Sequence, residues 1–144
     1  MQQAMSMKNA RRAMFAGNAL LTFQSLRTNK WFTYRIQAGS NQREPWYVSV
    51  LTGDEQQYRY IGHIFKNQER VFHPGKKSSI SESSPSVMAF GYVFENLLMS
   101  EDPSWMSNKV KIYHQGKCSK CGRPLTTPHS IEIGIGPHCL AVAG

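Results

Sequence analysis

Chemistry in this chain is concentrated in three cysteines, Cys118, Cys121 and Cys139, with His114 just upstream. Cys118 and Cys121 have the C-x2-C spacing that lets two thiolates of one tight turn bind a single ion. Gly122 behind them suits a turn that aims backbone amides at the sulfurs. Cys139 follows after 17 intervening residues, a length that predicts a hairpin returning to the knuckle. Zn2+ takes four N or S donors in a tetrahedron, so a fourth donor is required. His114, four residues before Cys118 on the approaching strand, is the first choice. His138, adjoining Cys139, and His129, at the expected hairpin tip, are the alternatives. An odd number of cysteines with this spacing fits a reducing cytosol better than a disulfide framework.

A closed sphere of three sulfurs and one nitrogen leaves no position for a reactant, so the expected Zn2+ is structural. Three thiolates and a dication sum to −1, which leaves the surrounding basic segment basic. Zinc-deaminase chemistry needs H-x-E and P-C-x-x-C. Here Lys117 precedes Cys118, and His129 and Glu132 stand three apart. Gly134-Ile135-Gly136 lacks the Lys-Ser/Thr of a phosphate loop and reads as a turn that returns Cys139 to the metal. Paired carboxylates, a Ser/His/Asp order and a nuclease-like acidic cluster are all missing, so no catalytic residue is assigned and no small-molecule substrate is expected.

The tail carries further fixed points: Arg123, Leu125, Thr126, Pro128, Ser130, Ile131, Gly134, Gly136 and Pro137 between and around the cysteines. With His114, Cys118, Cys121, Gly122 and Cys139 this pattern resembles the tail of a family of small, uncharacterised proteins of phages and other mobile elements. The resemblance extends more weakly to Ala16-Gly17-Asn18-Ala19, Phe32-Thr33-Tyr34-Arg35 and Lys77-Ser78-Ser79. It implies zinc ligation with His114 in the family's histidine position, and a mobile-element origin, but no activity.

These ligands need elements to position them. Residues 4–16 place Ala4, Met7, Ala10 and Met14 at helical spacing, ended by Gly17-Asn18. Thr22–Leu26 and Trp31–Ile36 flank a turn at Arg27–Lys30. Trp46–Leu51, Tyr58–Phe65 and Arg70–His73 continue as strands, with turns at Gly39–Gln42, Thr52–Glu55 and Asn67–Glu69. Lys76–Ser84 is a polar surface loop. Ser84 then offers an N-cap and Pro85 a first helical residue, and Val87, Phe90, Phe94, Leu97 and Leu98 form an apolar stripe to about Met99. Val110–Tyr113 returns as a strand into the cysteine segment. The expected fold is α+β: an antiparallel β-meander packed by one main helix, with a short N-terminal helix over residues 1–108. Residues 109–144 form a treble-clef-like or zinc-ribbon-like knuckle.

At 144 residues the chain has room for one ordinary core. No apolar run approaches the ~20 residues of a transmembrane helix, and the first residues lack the apolar stretch of a secretory signal, so a cytoplasmic protein of the host cell is expected. The formal charge is +8 with a pI near 9.6. It is segregated: +7 over residues 1–43, −3 over 44–102 and +4 over 103–144. Such segregation favours a polyanionic partner through counterion release. Candidate nucleic-acid contacts are Arg27, Lys30 and Arg35 on the hairpin, and Lys109, Lys111, Lys117, Lys120 and Arg123 around the knuckle. Trp31 and Tyr58 or Tyr60 would stack on bases if they lie on an open sheet face. His63 and His73 carry no partner pattern. The alternative function is a protein-binding inhibitor of a host defence complex or polymerase.

Overall fold

The computed structural model describes residues 4–41, 44–53, 57–65, 70–76 and 78–143. The expected turn residues Gln42, Asp54–Glu55 and Asn67–Glu69, and Lys77 of the polar loop, lie outside them. The fold is α+β, a six-stranded antiparallel sheet with helices. The strands are β1 (Asn18–Ser25), β2 (Trp31–Ala38), β3 (Trp46–Thr52), β4 (Gln57–Ile64), β5 (Phe72–Pro74) and β6 (Val110–His114). Their order is β5-β4-β3-β2-β1-β6, a meander with the late strand β6 added beside β1.

Alternation along the strands sorts the sheet into two faces. Ala19, Leu21 and Phe23 of β1, Tyr34 and Ile36 of β2, Val48 and Val50 of β3, and Val110 and Ile112 of β6 are buried on one face. Helix α2 (Pro85–Met99) covers it, stacking Phe90 on Phe23 with ring centroids 5.8 Å apart and tilting it against Tyr34 at 5.0 Å. The buried Tyr34 hydroxyl donates to the Ser86 carbonyl at 2.6 Å, and burial pushes this phenol far above its ordinary value.

Helix α1 (Met7–Met14) packs beside α2, capped by Ser6, whose hydroxyl accepts from Asn9 N–H. It is shorter than the predicted 4–16: Phe15 leaves helical geometry before the positive-φ Gly17. Its Arg11 is half-buried against the end of α2. The guanidinium donates to the carbonyls of Leu97 (3.0 Å) and Ser100 (3.3 Å), satisfying acceptors that the end of α2 leaves unpaired. Arg11→Met is expected to lower the unfolding free energy by about 1–2 kcal/mol in urea titrations, and exposed Arg12→Met by less than ~0.5 kcal/mol. Equal effects would contradict this capping role.

A 3-10 helix, Pro103–Asn108, not foreseen from sequence, buries Pro103 and Met106 and leads into β6. The main core runs from Met5 to Ile112. A second, much smaller cluster holds, among the described residues, Cys118, Ile133, Ile135 and Cys139 as buried members. The strand expected to open the C-terminal module is thus shared: β6 belongs to the sheet and delivers the chain to the cysteines.

Candidate metal centre and nucleic-acid interface

Beyond β6 the chain folds into a tight loop. Lys117 bridges to Pro124, Cys118 N–H donates to Arg123 O (2.8 Å), and Gly122 N–H returns to Cys118 O (2.9 Å). Gly122 sits at φ +79°, a left-handed conformation that glycine adopts without steric cost. The loop docks through Ser119: its carbonyl accepts from Asn18 N–H (2.7 Å) and its amide donates to Gly134 O (2.9 Å). The start of β1 and the second half of the module are therefore tied to the same residue.

The expected hairpin between Cys121 and Cys139 is not what forms. Thr127 caps a short helix, α3 (Pro128–Ile133), with its hydroxyl oxygen accepting from Ser130 N–H and Pro128 at the first position. Gly134 ends it at φ +75°. A Cβ there would come within 3.0 Å of Met5 Cε and 3.4 Å of His114 Cδ2. After two residues the chain enters α4 (Pro137–Ala143), so Cys139 comes from the first turn of a helix, and His129 lies in α3 rather than at a hairpin tip.

The three Sγ atoms lie within 4.8 Å of one another. Tetrahedral Zn–S bonds of ~2.3 Å set sulfurs ~3.8 Å apart, so only small side-chain adjustments separate this cluster from a metal-binding geometry. Cys118 Sγ also accepts from Lys120 N–H (3.4 Å) and Gly136 N–H (3.3 Å), the kind of donors that stabilise a thiolate. Burial raises the Cys118 thiol, but the amides of Gly136, Cys121 and Lys120 outweigh it and bring the group down to about 7. Cys139 is pushed up to about 11 by burial and then by the other two cysteines. Three adjoining sulfurs, those of Cys118 and Cys139 on buried residues, form a donor set of the kind that a soft cation bridges. Cys118, Cys121 and Cys139 could therefore hold a metal ion.

The first-choice fourth ligand lies elsewhere. His114 is buried, and Gly116 N–H donates to its Nδ1 (2.8 Å), so its proton is on Nε2 and is donated to Ile131 O (2.5 Å). The ring ties β6 to α3 and stands outside the sulfur group. Sequence spacing alone could not distinguish a ligand from this brace. His129 and His138 are exposed and also outside the group.

Residues 112–144 match DUF6011, a family of unknown function. The matched segment begins inside β6 and covers the knuckle, α3 and α4, which is the part of the chain with the tail motif. No curated protein and no solved structure matches the chain.

Away from the matched segment, the sheet face opposite α2 is lined by a different set of side chains. Cross-strand register sets them in rows: Lys111, Gln24, Trp31; then Tyr113, Thr22, Thr33; then Leu20, Arg35, Ser49, Tyr60; then Gln37, Tyr47, His63, His73. Tyr58 pairs with Leu51 on the same face. Trp31 is 64% exposed and Tyr47 43%. Arg35 reaches past small Ser49 to lie 4.2 Å above the Tyr58 ring. Arg27, Lys30 and Lys109 are exposed where the β1–β2 turn meets the start of β6, next to Trp31 and Lys111. Lys117, Lys120 and Arg123 are exposed on the knuckle, beyond the opposite end of β6. The eight predicted basic residues thus fall into two groups, with Arg35 on the sheet between them.

His63 and His73, which have no partner pattern in the sequence, are cross-strand neighbours on β4 and β5. A register shift between Val48 and Ser49 puts Tyr60 and His63 on one face although they are three residues apart. Tyr60 Oη and His63 Nδ1 share a 2.8 Å hydrogen bond, and the His63 and His73 rings stack at 5.4 Å. Burial, and then His73, hold His63 below the usual imidazole range. The unfolded chain then takes up this proton at higher pH than the folded one. Stability from this position is full above about pH 6.5 and is lost as pH falls toward the lower folded value. His63→Gln is expected to flatten the acid-side fall in Tm between about pH 7 and 5. An unchanged slope would exclude His63 as its source.

Proposed function

We propose that this chain binds single-stranded nucleic acid on its open sheet face, and that the C-terminal segment is a treble-clef-like module stabilised by structural Zn2+. The observation that carries the reading is the face itself: Trp31, Tyr47, Tyr58, Tyr60 and Tyr113 interleaved with Arg35 and Lys111 on a surface that α2 does not cover. Bases stack on such rings irrespective of sequence, while cations at the margin neutralise phosphates. The charge of +8 supplies the long-range attraction.

Zn2+ suits the donor set because cysteine sulfurs select soft ions, and Cys118 and Cys139 are buried. Bound there, it would supply cross-linking. The residues do the rest: Lys120 and Gly136 amides hold the Cys118 sulfur, and Gly122 shapes the loop.

The test is fluorescence anisotropy with a labelled ~15-nucleotide single strand across a salt series. Affinity is expected to fall steeply, with a log–log slope near −3.5 if about five cations neutralise phosphates. Binding that is absent at ~50 mM salt, or independent of salt, would overturn the proposal. Retention of a host protein after nuclease treatment, without oligonucleotide binding, would favour the inhibitor reading instead.

A further inference from the structure

At the β5 end of the sheet, a cleft of about 650 Å³ opens among Tyr60, His63, His73, Lys76 and Glu82. That volume lies within the ~300–1,000 Å³ usual for sites that take one small molecule. We infer that this cleft is a subsite for a single nucleotide, its base against the Tyr60, His63 and His73 rings and its phosphate on Lys76. The inference rests on the nucleic-acid reading and gives the sheet face a defined end.

The cleft is built rather than incidental. The chain leading to Glu82 is pinned to β4: Ser78 Oγ donates to Tyr60 O (2.6 Å), and Ile80 N–H donates to Ser78 Oγ (3.0 Å). Gly75 N–H donates to Ile61 O (2.8 Å). A Cβ on Gly75 would fall 2.5 Å from the Tyr60 ring, so glycine allows the chain to pass directly under it. The rings hold one another in place. Phe65 sets its edge to His63 at 4.8 Å and to His73 at 5.3 Å, and the two imidazoles are within 18° of parallel. Tyr47, 6.4 Å from Tyr60, links this group to the open face.

The chemistry matches a nucleotide in each part. Flat ring faces stack on a base, and the Lys76 ammonium donates hydrogen bonds to a phosphate. The Glu82 carboxylate accepts hydrogen bonds from sugar hydroxyls or from a base amine. The same chemistry could be met by a free nucleotide or by the terminal nucleotide of a bound strand, and the experiment separates them.

The metal-loaded full chain is titrated with AMP, with adenosine and with a 5′-phosphorylated ~15-mer, following the Tyr and His ring signals by NMR. AMP is expected to bind with Kd about 0.1–1 mM and to shift Tyr60, His63 and His73. Adenosine should bind about tenfold more weakly, and Lys76→Ala should erase that difference. His73→Ala should remove the AMP shifts while the 15-mer still shifts the Trp31 signals at the far end of the sheet face. Displacement of AMP by the 15-mer identifies a strand terminus as the ligand. Simultaneous binding of both identifies a free nucleotide. If ~10 mM AMP shifts none of these rings, or shifts only Trp31 and Tyr58, the subsite is wrong even where the 15-mer still binds. Loss of binding by AMP and the 15-mer alike would overturn the functional reading as well.

Discussion

Removing the metal, or replacing Cys118 or Cys139 by Ser, is expected to unfold the segment from Gly116 onward while leaving the sheet intact. The reason is the division of the core. Among the described residues, only Cys118, Ile133, Ile135 and Cys139 are buried in the module's own cluster, and two of these are candidate ligands. Each buried side chain is worth ~1.5–3 kcal/mol, whereas ordering the backbone costs ~1–2 kcal/mol for every residue. A structural Zn2+ site contributes an apparent ~10–16 kcal/mol, which makes it the dominant local term. The sheet keeps its independent core from Met5 to Ile112. Hydrogen exchange should then show amides of α3 and α4 losing protection by a factor of 100 or more, roughly, with strong chelator, while those of β2 and β3 change little. Metal content should be about one ion per chain in the parent protein and fall sharply in Cys118→Ser. Module protection that is indifferent to chelator would sink the structural-metal reading. His114→Gln offers a contrast: it removes the brace to Ile131 and Gly116 and should lower stability without abolishing metal binding.

How far the sequence disclosed this architecture depended on whether its signals were local. Helix α2 matches the predicted 85–99 because Ser84, Pro85 and the apolar stripe all act within one element. The β1–β2 turn was equally legible: its five-residue loop uses Asn29 at φ +59°. Strand β1 begins at Asn18 rather than Thr22, because Leu20 and Leu21 together obscure an alternation that Ala19, Leu21 and Phe23 keep. The convergence of the three cysteines was visible in their spacing. The path between them was not: Thr127, Pro128 and Gly134 are ordinary helix-boundary residues, but a long gap between ligands suggested a hairpin. His114 shows the limit most clearly, since a ligand and a buried brace require the same residue on the same strand. The His63–His73 stack depends on the register shift opposite Val48 and Ser49 and on β5 pairing, neither of which has a local signature.

Trp31→Ala is expected to weaken single-strand binding about 5- to 150-fold, the range of ~1–3 kcal/mol that one base–aromatic stack contributes. Trp31 can be truncated with little structural cost because it is largely exposed and lies outside the main core cluster. Arg35→Ala should act through two routes, losing a phosphate contact and releasing the Tyr58 ring it covers. Its signature is therefore both weaker binding and a salt slope smaller by about 0.7. Lys111→Ala, which has no ring partner in the same row except Trp31, should change chiefly the slope. Six strands spaced ~4.8 Å apart make a platform ~24 Å across, enough for roughly four nucleotides and consistent with a short site size. The knuckle provides the competing interface. Lys117→Glu with Lys120→Glu reverses charge beyond the far end of β6 without touching the aromatic face. If that pair abolishes binding while Trp31→Ala leaves it unchanged, the strand is held by the metal module rather than by the sheet. The opposite pattern places it on the rings. Anisotropy on the four variants at two salt concentrations separates these arrangements, because stacking changes affinity at constant slope whereas phosphate contacts change the slope itself.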